Sequence, residues 1–117
     1  MVHNEYPKVK ILGCCFGHQL TAEALGGKVD VLASAKDTPL KSCAGKKDVN
    51  LHDSFFELPF VKKVITNDQH KELFREVVII AVHSDEVIRI PEGATVHASA
   101  TGCDVECFTL GENVLCF

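Results

Sequence analysis

The sequence between positions 9 and 27 reads VKILGCCFGHQLTAEALGG, and this stretch decides the fold. Its first apolar residues predict a short β-strand. Residues 16–25 predict an α-helix, because Leu20 and Ala24 share one helical face and a pair of glycines follows directly. Since Cys15 lies between the strand and the helix with no room for a longer loop, the stretch predicts a strand, a tight turn and a helix.

The turn carries the pattern G-x-C-x-G, formed by Gly13, Cys15 and Gly17. In such a turn the cysteine takes a strained backbone conformation, and strand and helix approach so closely that the flanking positions must be small. The amide N–H groups and positive dipole end of the helix favour a thiolate, so we expect a reactive sulfur at Cys15. The N–H of Phe16 is then expected to form one half of an oxyanion hole. The pattern therefore predicts a nucleophilic cysteine.

The remaining thiols are expected to have structural roles. Cys14 precedes the nucleophile and should point away from it into the core, as strand alternation requires. Cys107 and Cys116 lie within apolar strand patterns, where cysteine acts as a small hydrophobe. Cys103 and Cys107 lack a second pair at metal-ligand spacing, which argues against a zinc site. We expect free thiols, no metal and no cofactor.

Length and composition predict one domain across residues 1–117. The formal net charge of −4 leaves no basic face for a nucleic acid. The longest apolar run, residues 77–82, is far too short to span a bilayer. The N-terminal segment is polar and lacks the apolar stretch of a signal peptide. These features predict a cytoplasmic protein without nucleic-acid or membrane partners, and they leave its oligomeric state open.

The middle of the chain gives a mixed pattern. Residues 28–32 predict a second strand, whereas residues 35–50 are polar and predict a loop. Residues 51–60 carry apolar side chains without a clean period, so no element is assigned there. The β-branched run at 77–82 predicts a central strand, buried on both faces and next to the strand at 9–12.

The second half of the chain is rich in strand patterns. Further apolar segments predict strands at residues 87–90, 95–99, 105–110 and 114–117. Turn residues at positions 91–93 and 111–113 separate neighbouring segments, and the second of these predicts a hairpin loop. Residues 1–7 resemble the end of a helix. A strand–turn–helix unit followed by a β-rich half predicts an α/β fold.

Three blocks of the sequence resemble the class I glutamine amidotransferase family. Residues 11–29 resemble its nucleophile motif and the helix that follows. Residues 83–99 resemble its second block, and residues 105–115 resemble the strand pair that leads to its catalytic histidine. The chain looks most like the stand-alone fungal and plant members, which include γ-glutamyl peptidase-like proteins. The blocks follow the family's order, which is far more specific than a single motif.

The resemblance implies a fold, a reaction and a set of site residues. It implies a flavodoxin-like, doubly wound sheet, of which this chain holds a part. Cys15 would form a thioester while cleaving the side-chain amide of glutamine or a γ-glutamyl amide. Gln19 would hold the amino-acid end of this small-molecule substrate, and Ser84 and Asp85 would hold the same end through backbone atoms.

The family pattern is incomplete in this chain. The family's catalytic His and Glu follow the strand that matches residues 114–117, where this sequence stops. The upstream glycine loop with the second oxyanion donor and a Gly-Trp-Glu-like segment are also missing. His83 and His18 fit structural or packing roles better than the role of the missing base. We therefore expect a partial domain with little or no activity; the alternative is a degenerate, non-enzymatic binding module.

Overall fold

The computed structural model describes residues 2–31 and 43–117 as a mixed α/β fold. Its helices are α1 (Val2–Glu5), α2 (Phe16–Ala24), α3 (Asp53–Phe56), α4 (Pro59–Lys62) and α5 (Asp68–Leu73). Its strands are β1 (Ile11–Gly13), β2 (Lys28–Val31), β3 (Cys43–Leu51), β4 (Glu76–His83), β5 (Asp85–Arg89), β6 (Thr95–Ala100), β7 (Cys103–Leu110) and β8 (Val114–Cys116). Leu32, the last residue of the predicted second strand, and positions 35–42 of the predicted loop lie outside the described residues.

The described strands build a six-stranded sheet in the order β1-β8-β7-β6-β3-β4, and a two-stranded antiparallel sheet of β2 and β5. In the larger sheet β1 runs parallel to β8, with Gly13 opposite Cys116, and the other neighbours are antiparallel. The predicted hairpin around positions 111–113 is confirmed, because β7 and β8 pair across it. The α/β class and the β-rich second half are also confirmed.

Two clusters of buried side chains stabilise the described part of the chain, since burial of apolar surface is the main favourable term in folding. The first joins α2 and β5 to the sheet and comprises Ala22, Val87, Val105, Phe108, Val114 and Cys116. The second joins β3, β6 and β7 and comprises Val49, Ala98, Ala100 and Cys107. The prediction that Cys107 and Cys116 are small hydrophobic core residues is therefore confirmed.

The prediction of a loop across residues 35–50 is wrong in its second part. Cys43–Leu51 form β3, which pairs with β4 from Cys43 opposite His83 to Asn50 opposite Glu76. The end of β3 also pairs with β6. Backbone hydrogen bonds to these neighbours satisfy the backbone polar groups of β3, so the polar and charged side chains at positions 46–48 and 50 do not prevent a strand.

The prediction of a central, doubly buried strand at residues 77–82 is also wrong. These residues do form a strand, but β4 lies at one edge of the sheet and β1 at the other, so the two are not neighbours. Val78, Ile80 and Val82 are 63%, 80% and 65% exposed, whereas Ala81 is buried. A continuous apolar run predicts a strand without indicating which neighbours cover it.

Helix α2 is confirmed, but the face that Leu20 and Ala24 share is not its buried face. Leu20 is 57% exposed, and Ala24 is exposed as well. His18 and Ala22 face the core instead. Both pairs are spaced by one helical turn, so the period alone does not decide between them when one pair contains a polar residue.

Residues 51–60, which carry no clean sequence pattern, contain the end of β3, the short helix α3 and the start of α4. Phe56 and Val61 anchor these helices, because both side chains are buried. No helix within residues 2–31 and 43–117 is long and apolar enough to cross a membrane.

Candidate active site

Cys15 lies at the turn between β1 and α2, as the sequence predicts. It has φ 53° and ψ −112°, and within residues 2–31 and 43–117 it is the sole residue other than glycine with a positive φ. Such a backbone conformation is strained in an L-residue and persists only where the surrounding structure imposes it. The turn is held by hydrogen bonds from the amide of Gly17 to the carbonyl of Cys14 (2.8 Å) and from the amide of His18 to that of Cys15 (3.0 Å).

Further backbone hydrogen bonds fix this turn to the C-terminal strand. The amide of Phe117 donates to the carbonyl of Gly13, and the amide of Cys15 donates to the carbonyl of Phe117, both at 2.9 Å. The ladder between β1 and β8 thus continues past the strand ends and reaches Cys15. This continuation is the local support for the strained conformation.

The glycines on either side of Cys15 differ in their steric surroundings. A Cβ atom on Gly13 would lie 2.8 Å from the sulfur of Cys116 and 2.8 Å from the carbonyl oxygen of Gly17. A Cβ atom on Gly17 would meet no described atom within 4 Å. The expected steric need for a small residue therefore holds at position 13, whereas the described structure gives no such reason at position 17.

The first turn of α2 leaves an amide group free beside Cys15. The amides of Gly17, His18 and Gln19 donate to the carbonyls of Cys14 and Cys15. Among the described residues, the amide N–H of Phe16 has no hydrogen-bond acceptor. The Phe16 side chain is exposed. A free N–H group next to an exposed thiol is what an oxyanion would require.

A cavity of about 300 Å³ opens beside the turn. Residues of the turn, of α2 and of the β4–β5 segment line most of it: Cys14, Cys15, His18, Gln19, Ile79, Ile80, Ala81, Val82, His83, Asp85, Glu86 and Val87. Cys103, Val105 and Phe117 complete its wall. The cavity therefore brings the nucleophile block and the second block of the sequence together.

Gln19 and Asp85 meet at this cavity. The side-chain amide of Gln19 donates to the backbone carbonyl of Asp85 at 2.9 Å. Nδ1 of His83 lies 2.9 Å from the same carbonyl oxygen. Because a carbonyl oxygen only accepts, Nδ1 is the donor in this contact. Ser84 is exposed and lies outside the cavity lining.

His18 packs beneath the site. It is buried, and its ring centroid lies 5.2 Å from that of Phe108. Burial lowers the pKa of His18 to about 4, and the nearby charge of Glu106 only partly opposes this shift. Within the described residues Nε2 of His18 has no hydrogen-bond partner. His18 is therefore a neutral packing residue at neutral pH.

A partly buried ion pair close to His18 was not predicted from the sequence. Lys47 of β3 and Glu106 of β7 form a salt bridge, and their side chains are 12% and 11% exposed. Glu106 also affects Cys103, because burial and a hydrogen bond to Glu106 raise the pKa of that thiol to about 12. The signal available in the sequence was the position of Glu106 within an apolar strand pattern, where a charge needs a partner.

The structure contradicts the prediction that Cys14 is a core residue. Its side chain is exposed and lines the same cavity as Cys15. The alternation of a strand does not extend to Cys14, because β1 ends at Gly13 and the chain then turns. Two neighbouring cysteines therefore line one cavity.

No group of three or more His, Cys, Asp or Glu side chains within residues 2–31 and 43–117 is arranged to hold a metal ion. A larger cleft of about 750 Å³ lies beside Lys10 and Phe60, and none of the predicted site residues lines it. The chemistry of the predicted residues is therefore concentrated at the cavity beside Cys15.

Comparisons with known proteins agree with this geometry. The family model described as glutamine amidotransferase class-I matches residues 3–116. Gamma-glutamyl peptidase 3 of Arabidopsis thaliana is 33% identical over 112 residues, which cover 96% of this chain and 40% of that protein. The glutamine-hydrolyzing GMP synthase of Bacillus pumilus is 32% identical over 104 residues, which cover 89% of this chain and 17% of that protein.

A solved structure of a glutamine amidotransferase from Thermotoga maritima has the same fold. It matches with a TM-score of 0.70 at 17% identity and covers 99% of this chain and 41% of that chain. The chain spans about two fifths of the length of the similar plant peptidase and a smaller share of the GMP synthase.

Proposed function

The chain belongs to the class I glutamine amidotransferase family, and from this we propose that Cys15 is the nucleophile of a hydrolytic site. The bond cleaved is the side-chain amide of glutamine or a γ-glutamyl amide, through a thioester on Cys15. The observation that carries the proposal is the strained, exposed Cys15 at the start of α2, facing a cavity. The names of the similar plant peptidase and of the GMP synthase support this substrate class.

Gln19 and Asp85 are proposed to hold the amino-acid end of the substrate. The hydrogen bond between them keeps the Gln19 side chain at the cavity and leaves its amide oxygen available to a substrate amino group. Ser84 is proposed to contribute through its backbone, since its exposed side chain does not line the cavity.

Phe16 is proposed to supply one oxyanion donor through its free amide N–H. Attack of the Cys15 sulfur on the amide carbon places negative charge on the carbonyl oxygen, and a positioned N–H stabilises that charge. Gly13 keeps the turn close to β8, because a side chain there would meet the sulfur of Cys116. Gly17 is proposed as the second glycine of the turn.

Two proton transfers remain without an assigned residue. The leaving nitrogen must gain a proton, and the water that hydrolyses the thioester must lose one. The 117 residues contain no His-Pro-Glu sequence. His83 lines the cavity, but its contact with the Asp85 carbonyl associates it with the amino-acid end of the substrate. We therefore propose that these residues alone hydrolyse glutamine weakly or not at all.

We further propose that the described sheet is part of a flavodoxin-like, doubly wound sheet in the whole protein. The support is the parallel pairing of β1 with β8 and the packing of α2 against this edge.

A covalent label tests the proposed nucleophile without requiring turnover. A diazoketone analogue of glutamine should alkylate Cys15: the diazo carbon gains a proton, the Cys15 sulfur bonds to that carbon, and nitrogen gas leaves. Free glutamine should slow the reaction, and Gln19→Leu should weaken this protection by about tenfold, the cost of one hydrogen bond to a charged group. Leu20→Ala, an exposed position on the same helix, should leave labelling unchanged.

The proposal fails if an otherwise similar diazoketone without the γ-glutamyl group labels Cys15 equally fast. The weak-activity proposal is tested separately with glutamine and γ-glutamyl peptides as substrates. Turnover of about 1 per second, abolished by Cys15→Ala, would contradict it.

A non-enzymatic binding module is the second candidate, and the exposed edge strand favours it. Val78, Ile80 and Val82 present apolar side chains on β4, whose outer edge pairs with no described strand. Edge strands of this kind readily pair with another chain. If this is the function, Ile80→Lys should abolish association between copies in sedimentation experiments, whereas Cys15→Ala should not.

A further inference from the structure

Two thiols of adjacent residues share the cavity beside the turn. Cys14 and Cys15 are both exposed, and both line the cavity. In a regular strand adjacent side chains point to opposite faces, which would separate the two sulfur atoms. Here β1 ends at Gly13 and the positive φ of Cys15 redirects the chain, and both exposed cysteines line the same cavity.

We propose that the pair is a peroxide-sensitive modification site, in which Cys14 is the resolving thiol for Cys15. Nothing in the hydrolytic function assigns a role to Cys14. The proposal does not depend on hydrolysis, because it requires only that Cys15 is the more reactive of two neighbouring thiols. Its oxidant is hydrogen peroxide or an organic hydroperoxide.

The reaction proceeds in two steps. The thiolate of Cys15 attacks the terminal oxygen of the peroxide, the O–O bond breaks and Cys15 becomes a sulfenic acid, while hydroxide leaves from hydrogen peroxide or an alkoxide leaves from an organic hydroperoxide. The sulfur of Cys14 then attacks the sulfur of Cys15, an S–S bond forms and the S–O bond breaks. The hydroxyl group leaves as water with the proton of the Cys14 thiol. Both thiols are oxidised together by two electrons, and the peroxide is reduced.

The adjacent positions make such a disulfide reversible. Consecutive Cα atoms are about 3.8 Å apart across a trans peptide, whereas disulfides usually join Cα atoms about 4.4–6.8 Å apart. The bond between Cys14 and Cys15 is therefore strained, and strained disulfides are the more easily reduced ones. It acts as a cap that keeps Cys15 from the irreversible sulfinic acid stage.

The other thiols near the cavity are poorer partners. Cys103 lines the cavity, but it is buried, and burial raises the pKa of its thiol to about 12. Cys107 and Cys116 lie in the core. Cys43 stands opposite His83 in the ladder between β3 and β4, so the experiment must distinguish it from Cys14.

Trypsin separates the candidate partners by peptide. Cleavage after Lys10 and Lys28 gives residues 11–28, which contain Cys14 and Cys15, whereas Cys43 and Cys103 fall in other peptides. After mild peroxide treatment of the folded chain, we expect peptide 11–28 to lose the mass of two hydrogen atoms and to resist alkylation at both thiols. A thiol reductant should restore both.

The matched variants are Cys14→Ala and Cys14→Ser, which remove the resolving thiol at an exposed position. With the nucleophile dimedone present as a trap, we expect at least about tenfold more sulfenic acid adduct on Cys15 in these variants than in the wild type. Cys43→Ala and Cys103→Ala should behave as the wild type. Equal trapping in wild type and Cys14 variants, or a cross-link from Cys15 to the peptide of Cys43 or Cys103, would overturn the proposal. Because no substrate is used, either result leaves the hydrolase proposal to its own test.

Discussion

The turn with α2 and the β3–β4 pair differ in how far their structure follows from local sequence. Around Cys15, the spacing of glycines, cysteine and helix end corresponds to the observed turn, down to the positive φ. In β3 and β4, polar residues form a strand and an apolar run forms an exposed edge. The steric constraints within a turn depend on adjacent residues. Whether a strand is buried depends instead on segments that are distant in sequence.

The strongest test of this contrast compares a buried aromatic beneath α2 with an exposed apolar residue of β4. Phe108 is fully buried and contacts His18, so Phe108→Ala should cost about 3–5 kcal/mol in the free energy of unfolding. Ile80 is 80% exposed. Ile80→Thr, which keeps the β-branched shape, should change the free energy of unfolding by less than about 0.5 kcal/mol.

Urea unfolding monitored by circular dichroism measures both changes. If Ile80→Thr destabilises the chain as much as Phe108→Ala, β4 is covered in solution and the contrast between the two regions is wrong.

A smaller effect separates the two glycines of the turn. Gly13→Ala should destabilise the chain by about 1–3 kcal/mol, because its Cβ atom would lie 2.8 Å from the Cys116 sulfur and from the Gly17 carbonyl oxygen. Gly17→Ala should be neutral or stabilising by up to about 1 kcal/mol, since alanine is the better helix former. Equal costs at the two positions in the same unfolding assay would contradict the steric account of Gly13.

The buried His18 makes the region beneath α2 sensitive to acid. Its pKa is lowered by burial to about 4, below the value of 6.5 for a free histidine. A lowered pKa in the folded state means that the stability is fully present above pH 6.5 and is lost as the pH falls towards 4. When the pH falls from 7.5 to 5, we expect the free energy of unfolding to decrease by about 2 kcal/mol because of His18.

The non-titrating variant His18→Leu isolates this contribution. The wild type and the variant are unfolded in urea at both pH values. The decrease in the free energy of unfolding between these pH values should be smaller in the variant, because the variant lacks the part that comes from His18. Part of the loss should remain, because burial also lowers the pKa of His97. An unchanged pH dependence in His18→Leu would contradict a neutral, buried His18.

Much of the fold was predictable because many elements are defined by local patterns. The turn at Cys15, helix α2 and the hairpin of β7 and β8 follow from glycines and apolar periods within a few residues. The edge position of β4 was not predictable, since the apolar run itself does not reveal that only β3 pairs with β4 among the described strands.

The contacts that bring residues together at the candidate site were not predictable from the sequence. The hydrogen bond from Gln19 to Asp85 joins residues 66 positions apart, so it becomes visible only in the folded chain. Lys47 and Glu106, which form a salt bridge, are also far apart in sequence. The exposure of Cys14 was not predictable either, because strand alternation does not indicate that β1 ends one residue before it.

The most direct test of the central claim, a reactive and exposed Cys15 at a strained turn, is the relative alkylation rate of the thiols in the folded chain. Limiting iodoacetamide at neutral pH, followed by peptide mapping with fragmentation to resolve adjacent residues, gives these rates. We predict that Cys15 is alkylated first, at least about tenfold faster than Cys14 and Cys103, because Cys15 is exposed at the N-terminus of α2 whereas Cys103 is buried. Alkylation of Cys14 or Cys103 before Cys15, in protein shown to be folded, would contradict the claim.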